Sequence, residues 1–233
     1  MADALPEPGP ETGPRMTIAL LGGAGKEGSG LALRWANVGH SVVIGSRDPA
    51  RAAEAAASID DLLGRDAASG TDNPAAAQVA EIVVLAVPYA AQIATAEAVR
   101  DALAGKILID VTVPLVPPKV ARVQLPESES AVVAMQALPG ADVRVASAFQ
   151  NISANRLVHL DAEIDCDVLV CADDKAAGEM VVAVEREIGP GAFYAGVLAN
   201  SVVAEALTSV LIALNPRYKV PGAGIRLTGI PRD

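Results

Sequence analysis

The sequence predicts an α/β fold, a doubly wound parallel sheet followed by a second, smaller C-terminal domain. Short apolar segments alternate with alanine-rich amphipathic segments as far as residue 150, which is typical of parallel strands joined by right-handed helical crossovers. The composition agrees, because 52% of the 233 residues are hydrophobic and only 3% are aromatic. This balance suits buried strands covered by alanine-rich helices. We therefore predict one domain over residues 16–150 and a smaller one over residues 151–233.

The first elements are predicted from apolar periodicity and from turn residues. The run MTIALLG (16–22) indicates a first strand, and SGLALRWANVG (29–39) indicates a helix that ends at a glycine. SVVIGS (41–46) is the second strand. Residues 48–64 form the next predicted helix, because Asp48 is a typical N-cap residue and a proline follows it.

Further buried strands are predicted before residue 150. They cover residues 81–88, 106–114 and 143–149, with helical segments at about 90–104 and 128–138.

After residue 150 the pattern becomes sparser. A loop leads to a strand, DVLVCAD (167–173), and then to a helix (175–189). The long apolar segment 197–214 is interrupted by polar residues, so we interpret it as a buried or interfacial helix and not as a membrane span. A glycine-containing tail follows it.

Charge and composition exclude several classes of partner. A net charge of −10 argues against a nucleic acid or an anionic membrane as the main partner, since both favour clustered Lys and Arg. Residues 1–15 are rich in proline, glycine and acid, so we expect a disordered tail without a secretory signal, and a cytoplasmic protein. Cys166 and Cys171 have an odd spacing that places them on opposite faces of a strand, which disfavours a disulfide. With two histidines in the chain, no transition-metal site is predicted.

The glycine-rich turn GGAGKEG predicts a dinucleotide site. Gly23, Gly25 and Gly28 satisfy G-x-G-x-x-G directly after a strand and directly before a helix. The first glycine permits the tight turn, the second lets the backbone approach a pyrophosphate, and the third lets helix and strand pack closely. Free N–H groups at the helix N-terminus then bind the anion.

The end of the second strand predicts NADP as the cofactor. An acidic residue there would bind the ribose hydroxyls and repel a 2′-phosphate, but this chain has Gly45, Ser46 and Arg47. Arg47 can bind the phosphate with its fork of donors, Ser46 can donate its hydroxyl, and Arg51 is one helical turn further on. The alternative is that Arg47 is a solvated turn residue.

Other strand ends offer candidate contacts at the same edge of the sheet, where such folds bind ligands. Val87 and Pro88 are plausible walls of the cofactor path, and Tyr89 and Gln92 are candidate contacts. The next strand end offers Thr112 and Pro114. The alternative for these prolines is that they simply end strands.

The chain resembles a known family, the NADPH-dependent coenzyme F420 reductases, also called F420H2:NADP oxidoreductases. The resemblance is carried by the first βαβ unit, IALLGGAGKEGSGLALRWANVGHSVVIGSRD, and then in order by VPLVP, SAFQNISANRL, VCADD, LANSVVAEALTSVLIAL and GAGIRL. It implies a Rossmann domain with a small C-terminal domain, a homodimer, and a deazaflavin that lies over the nicotinamide in the cleft. One segment departs from the family, which often has His-Thr-Ile-Pro where this chain has Gln150–Ser153.

By position, the resemblance and the glycine motif together predict the cofactor-binding residues. They are Gly22, Gly23, Ala24, Gly25, Lys26, Glu27, Gly28, Ser46, Arg47, Arg51, Ala86, Val87, Pro88, Ile152 and Ala154. Hydride transfer between C4 of the nicotinamide and C5 of the deazaflavin needs positioning and the exclusion of water, so no catalytic nucleophile is predicted. The positioning residues are expected to be Gln150, Asn151, Ile152 and Ser153, with Ile152 between the rings.

Three alternatives stay open at this point. One is an NADP-dependent reductase of a small imine or carbonyl compound, whose proton donor would come from Asn200, Ser201 or Glu205 on the long helix. A second is a reductase of an ordinary flavin. A third is a nucleotide-binding protein without catalytic activity.

Overall fold

The computed structural model describes residues 15–136, 138 and 142–231, so the predicted tail lies outside the described residues except for Arg15. Eight strands of the described part form one sheet. They are β1 (Thr17–Leu21), β2 (Ser41–Ser46), β3 (Ala68–Asp72), β4 (Ile82–Leu85), β5 (Ile107–Asp110), β6 (Arg144–Ser147), β7 (Asp167–Ala172) and β8 (Gly191–Tyr194). All six predicted strands are confirmed, β2 with the predicted bounds and the other five with shorter ones.

The helices cover both faces of this sheet. They are α1 (Lys26–Asn37), α2 (Pro49–Leu63), α3 (Asn73–Val79), α4 (Gln92–Val99), α5 (Ala131–Gln136), α6 (Ala154–Leu157), α7 (Lys175–Arg186) and α8 (Ser201–Tyr218). Short 3-10 turns at Tyr89–Ala91 and Arg100–Ala102 flank α4, and another at Leu198–Asn200 precedes α8. The predicted helix at 29–39 begins three residues earlier, at Lys26, directly after the N-cap residue Gly25.

The strand order is β3-β2-β1-β4-β5-β6-β7-β8. All neighbours are parallel except β6 and β7, which pair antiparallel. The order reverses between β1 and β4, so the carboxyl ends of these two strands open a crevice beside the turn after β1. The predicted doubly wound sheet is confirmed.

The chain after residue 150 continues this sheet. β7 pairs with β6 through Ala146–Ala172 and Ser147–Cys171, and β8 extends it at the edge. The boundary at residue 150 stays a prediction, and the segment beyond it adds strands and α8 to the same layered structure. Cys166 and Cys171 are buried free thiols, and burial raises the pKa of both to about 11.

Alternation along each strand divides the core into two layers. In β1, Ile18 and Leu20 pack with residues of α1, α2 and α7, whereas Ala19 and Leu21 pack with residues of α3, α4 and α5. Successive strand side chains point to opposite faces, and β1, β2, β4, β5 and β6 each contribute to both layers. Trp35 of α1 packs edge-to-face on Phe149 in the first layer, with ring centroids 5.7 Å apart.

Periodicity did not predict β3, α3, α6 or β8. β3 has the sequence ASGTD, which lacks large apolar residues because it is an edge strand with no fully buried position. Its Gly70 is required by packing, since a Cβ there would lie 2.2 Å from the backbone carbonyl carbon of Ala52 in α2. Tertiary contact therefore determines this strand more than local propensity does.

α8 is long and apolar enough to cross a membrane by length and composition alone. Such a helix also occurs in the core of soluble proteins, and here Glu205 is buried and bonded to α5. The prediction of a buried or interfacial helix agrees with this arrangement.

Candidate active site

The turn after β1 has the backbone geometry that a dinucleotide needs. Gly22 has a φ of +80°, and its N–H donates to the carbonyl oxygen of Gly45 over 3.0 Å. A Cβ at Gly22 would lie 2.6 Å from the carbonyl oxygen of Ala86, and one at Gly28 would lie 2.7 Å from the Cα of Gly23. Glycine is therefore required at Gly22 by both the turn and the close packing, and at Gly28 by the close packing.

Gly25 leaves space for a ligand at the N-terminus of α1. A Cβ on Gly25 would have only the carbonyl oxygen of Gly22 within 4 Å, at 3.3 Å. Within the part of the chain that the structure describes, no side chain caps this helix end. Its first N–H groups are thus available to an anion, as in other dinucleotide folds. The turn fits a dinucleotide pyrophosphate.

A cleft of about 490 Å³ opens beside this turn. The predicted residues that line it are Gly25, Lys26, Glu27, Ala86, Val87, Pro88, Gln150, Asn151, Ile152, Ser153 and Ala154. Tyr89 and Thr112 line it as well. The sheet and its connections therefore bring together three segments that lie far apart in the chain, and the volume is within the usual range for small-molecule sites.

Several predicted residues lie outside the cleft lining. Gly22, Gly23 and Ala24 belong to the turn beside it, and Gly28 lies in the first turn of α1. Ser46, Arg47 and Arg51 lie at the carboxyl end of β2 and in the first turn of α2. Pro114 is also outside the lining.

The two arginines after β2 are exposed positive charges. Within the described residues, neither Arg47 nor Arg51 has a hydrogen bond or ion pair. Ser46 Oγ accepts the N–H of Asp48 over 3.1 Å, which shapes the turn, and Asp48 caps α2 by accepting from Ala50. Since Gly45 is bonded to Gly22, this positive corner is tied to the dinucleotide turn.

The cleft also has a wall that sequence reasoning did not predict. One face of α8 contributes Thr208, Leu211, Ile212 and Asn215, and Ala223 follows from the C-terminal segment. These α8 residues recur at helical spacing, but only the fold shows which face of the helix meets the cleft.

The polar residues proposed as proton donors on this helix do not line the cleft. Glu205 is buried, and it accepts from Ser130 Oγ over 2.7 Å and from the N–H of Ala131 over 2.8 Å. Ser201 shares a hydrogen bond with the hydroxyl of Ser130 over 2.8 Å. Asn200 bonds to the carbonyl oxygen of Ala195. Their hydrogen bonds hold α8 against α5 and the preceding turn.

The loop at residues 150–154 is held by its own amide side chains. Gln150 Nε2 donates to the carbonyl oxygen of Asp110 over 2.7 Å, and Asn151 Nδ2 donates to that of Asp167 over 2.6 Å. Thr208 Oγ1 donates to the carbonyl oxygen of Gln150 over 2.5 Å. Both amides are almost fully buried, so they position the loop through β5, β7 and α8.

The residue before this loop has a strained backbone. Phe149 has a φ of +68° although it is not glycine, and its ring is fully buried against Trp35. The cost of such a conformation is about 1–3 kcal/mol, and it persists only where the surroundings impose it. Packing of the ring therefore helps to direct the loop into the cleft.

A buried carboxyl group lies beneath the cleft floor. Asp110 ends β5 and is fully buried, with Oδ2 accepting from Gln92 Nε2 over 2.5 Å and Oδ1 accepting from the N–H of Thr112 over 2.8 Å. Gln92 is thus turned inward and is not a cleft residue. Burial raises the pKa of Asp110 to about 6, although its hydrogen bonds oppose the shift.

Glu27 has a more strongly perturbed carboxyl group. It lies in the first turn of α1, half-buried in the cleft lining. Burial, and secondarily the charge of Asp110, raises its pKa to about 8. Among the described residues, no cluster of three or more His, Cys, Asp or Glu side chains has the arrangement of a metal site.

Comparison with known proteins gives consistent matches. Residues 17–114 match a family model described as NADP oxidoreductase, coenzyme F420-dependent. The chain is 42% identical to the F420-dependent NADP reductase of Methanothermobacter thermautotrophicus, over 94% of this chain and 97% of that protein. It is 37% identical to the F420-dependent NADP reductase of Methanocaldococcus jannaschii, over 92% and 99% of the two chains.

Solved structures share the fold. A crystal structure of a candidate F420-dependent NADP reductase from Arthrobacter sp. FB24 has a TM-score of 0.74 and 26% identity, covering 91% of this chain and 99% of that one. A reductive aminase from Aspergillus terreus, solved with NADPH, has a TM-score of 0.59 at 19% identity, covering 88% of this chain and 62% of its own. The second likeness extends to the fold alone.

Proposed function

This chain belongs to the F420-dependent NADP reductase family, and from that premise we propose how its cleft performs the reaction. The enzyme transfers a hydride between NADP(H) and the deazaflavin coenzyme F420. When both are bound, the hydride passes between C4 of the nicotinamide and C5 of the deazaflavin. The observation that carries the proposal is that one cleft joins the dinucleotide turn to the loop at 150–154.

The glycine turn and the N-terminus of α1 bind the dinucleotide in this proposal. Gly22, Gly23 and Gly28 keep the turn tight, and the N–H of Gly25 closes it by donating to the carbonyl oxygen of Gly22 over 2.9 Å. Ala24 and Lys26 present backbone N–H groups to the pyrophosphate, and Gly25 leaves space for it. Ala86, Val87 and Pro88 form the wall along which the nicotinamide half lies.

Arg47 and Arg51 select NADP over NAD. Their guanidinium groups are exposed and unpaired within the described residues, so they are available to a 2′-phosphate without the loss of an existing ion pair. Ser46 supplies a hydroxyl at the same corner.

The opposite side of the cleft positions the deazaflavin. Ile152, Ser153 and Ala154 form this side, and Leu211 of α8 adds apolar surface. Because Gln150 and Asn151 hold the loop, this side of the cleft is a fixed wall that would orient the deazaflavin, and its apolar lining would exclude water. The chain acts by binding and orientation, and it needs no nucleophile.

We also propose a homodimer through the exposed face of α8. Val203, Val210 and Tyr218 lie along this face, and their exposed fractions are 58%, 46% and 65%. Exposed apolar side chains along one helix are typical of a subunit interface. Val210→Glu should give a monomer in analytical ultracentrifugation, whereas Val79→Glu, at an exposed position of α3, should not. A wild-type monomer at micromolar concentration would contradict the dimer.

The cytoplasm is the proposed location.

The reaction is tested by mixing the purified protein with NADPH and oxidised F420 and following the visible absorbance of the deazaflavin. We expect bleaching of F420, with FMN and riboflavin unaffected in parallel reactions. Bleaching of FMN at an equal rate would instead indicate a flavin reductase. No bleaching of any acceptor, with NADPH binding intact, would contradict the proposed pairing of substrates.

A further inference from the structure

An acidic side chain lies where a bound dinucleotide brings negative charge. Glu27 stands in the first turn of α1, between Gly25, which precedes the helix, and Gly28. Its side chain lines the cleft together with Lys26 and Ala86. The N-terminus of α1 attracts a pyrophosphate, but an ionised carboxylate in the same turn would repel it.

The groups around Glu27 do not neutralise its charge. On α1, Lys26 is exposed, and no ion pair joins it to Glu27 within the described residues. From β5, Asp110 lies close enough to affect Glu27 electrostatically and adds negative charge. Tyr89, after β4, is the other titratable side chain of the cleft lining, and the loop at 150–154 contributes only neutral side chains. Glu205 of α8 acts on Asp110 and not on Glu27.

This environment favours the neutral carboxyl. Glu27 is half-buried, has no hydrogen bond or ion pair in the described part of the chain, and is near the fully buried Asp110. Its pKa of about 8 follows from burial first and from Asp110 second. At pH 7 the group is therefore mostly a hydrogen-bond donor, and it becomes a repelling charge only as the pH rises.

We propose that Glu27 binds NADP(H) in its protonated form, donating its O–H to an oxygen of the bound dinucleotide, so that ionisation of Glu27 weakens cofactor binding. The inference rests on the proposed function, because it assumes that this cleft holds NADP(H). It makes Glu27 a binding residue whose proton is linked to cofactor affinity.

The size of the effect follows from the fraction of protein that is competent to bind. With a pKa of about 8, roughly nine-tenths of Glu27 is protonated at pH 7 and roughly one-tenth at pH 9, so the apparent Kd should rise about tenfold between these values. Binding near pH 9 should also take up close to one proton per site.

Isothermal titration calorimetry of NADP⁺ binding at pH 7, 8 and 9 tests this directly. Each titration is made in two buffers of different ionisation enthalpy, so that proton uptake appears as a difference in observed heat. The 2′-phosphate of NADP⁺ has a second pKa of about 6, so it is ionised throughout this range and adds little to the pH dependence of binding. The variants are Glu27→Gln, which keeps a neutral donor of similar shape, and the control Glu97→Gln on the exposed side of α4.

Wild type and Glu97→Gln should show the tenfold rise in Kd and the buffer-dependent heat at pH 9. Glu27→Gln should bind within about twofold of wild type at pH 7, and its Kd and heat should depend little on pH or buffer. A wild-type Kd that stays constant to pH 9 without proton uptake would overturn the inference while leaving the proposed function intact. So would an unchanged pH dependence in Glu27→Gln. Failure of the wild type to bind NADP⁺ at every pH would overturn the proposed function itself.

Discussion

Arg34 of α1 should be among the most stabilising side chains of this fold. Its side chain is 7% exposed and extends from α1 to the segment that follows the cleft loop. Its guanidinium donates to the carbonyl oxygens of Leu157, Ile188, Arg156, His159 and Ala162. No carboxylate of the described residues is hydrogen-bonded to it, so one cation satisfies several backbone acceptors from two distant parts of the chain.

The loss of stability on removing the guanidinium depends on which of these carbonyl groups are buried away from water. Leu157 and Ile188 are buried residues, whereas His159 and Ala162 are exposed and their carbonyls can bond to solvent. Two buried acceptors left without a donor cost about 1–3 kcal/mol each, so Arg34→Met should lower the free energy of unfolding by about 2–6 kcal/mol. Arg34→Lys should lose about half of this, because an ammonium cannot reach both acceptors with the geometry of the fork.

Equilibrium urea denaturation, followed by circular dichroism, measures this difference. The matched control is Arg122→Met, an exposed arginine in a loop, for which a change below about 0.5 kcal/mol is expected. If Arg34→Met unfolds at the same urea concentration and with the same slope as the control, the buried carbonyls do not depend on the guanidinium and the reasoning is wrong.

Three further predictions concern the cofactor turn, the NADP corner and a buried acid. Arg47→Ala should raise the KM for NADPH by about 5- to 150-fold, because about 1–3 kcal/mol of charged hydrogen bonding is lost, and it should leave the KM for NADH nearly unchanged. Equal effects on the two KM values in steady-state assays would contradict the role of Arg47. Gly22→Ala should abolish NADPH binding in fluorescence titration. Residue 22 has a φ of +80°, and a Cβ there would lie 2.6 Å from the carbonyl oxygen of Ala86, so the side chain would force the turn open. Wild-type affinity would show that the turn tolerates a side chain. Glu185 is fully buried without a hydrogen-bond partner for either oxygen in the described part, and burial raises its pKa well above the usual range. Since the folded state keeps a proton that the unfolded chain loses, wild type should lose stability relative to Glu185→Gln as the pH rises above the usual titration range of Glu, by up to about 1.4 kcal/mol per pH unit while the buried group stays protonated. A stability difference in urea denaturation that does not change with pH would refute this.

Local sequence signals were enough to predict six of the eight described strands, the dinucleotide turn and the positive corner after β2. Each depends on neighbouring residues: an apolar run, glycines at fixed spacing before a helix, and Ser46 and Arg47 where an acid would exclude NADP. These features need only the order of the chain, since βαβ units bring successive strand ends to one edge of the sheet. The residues that line the cleft at 86–88 and 150–154 were predicted for the same reason, with the family resemblance supplying the second segment.

Only the tertiary structure decided which side chains turn inward and what they meet. Gln92 and Glu205 are polar residues in apolar segments, a pattern that is also typical of ligand contacts. Packing instead directs Gln92 to Asp110 and Glu205 to the N-terminus of α5. The edge strand β3 exists because α2 packs on Gly70, and its own residues give little sign of it. The shifted pKa of Glu27 likewise depends on Asp110, more than eighty positions away in the sequence. Burial and charge act through space, so they arise only when the chain has brought these residues together.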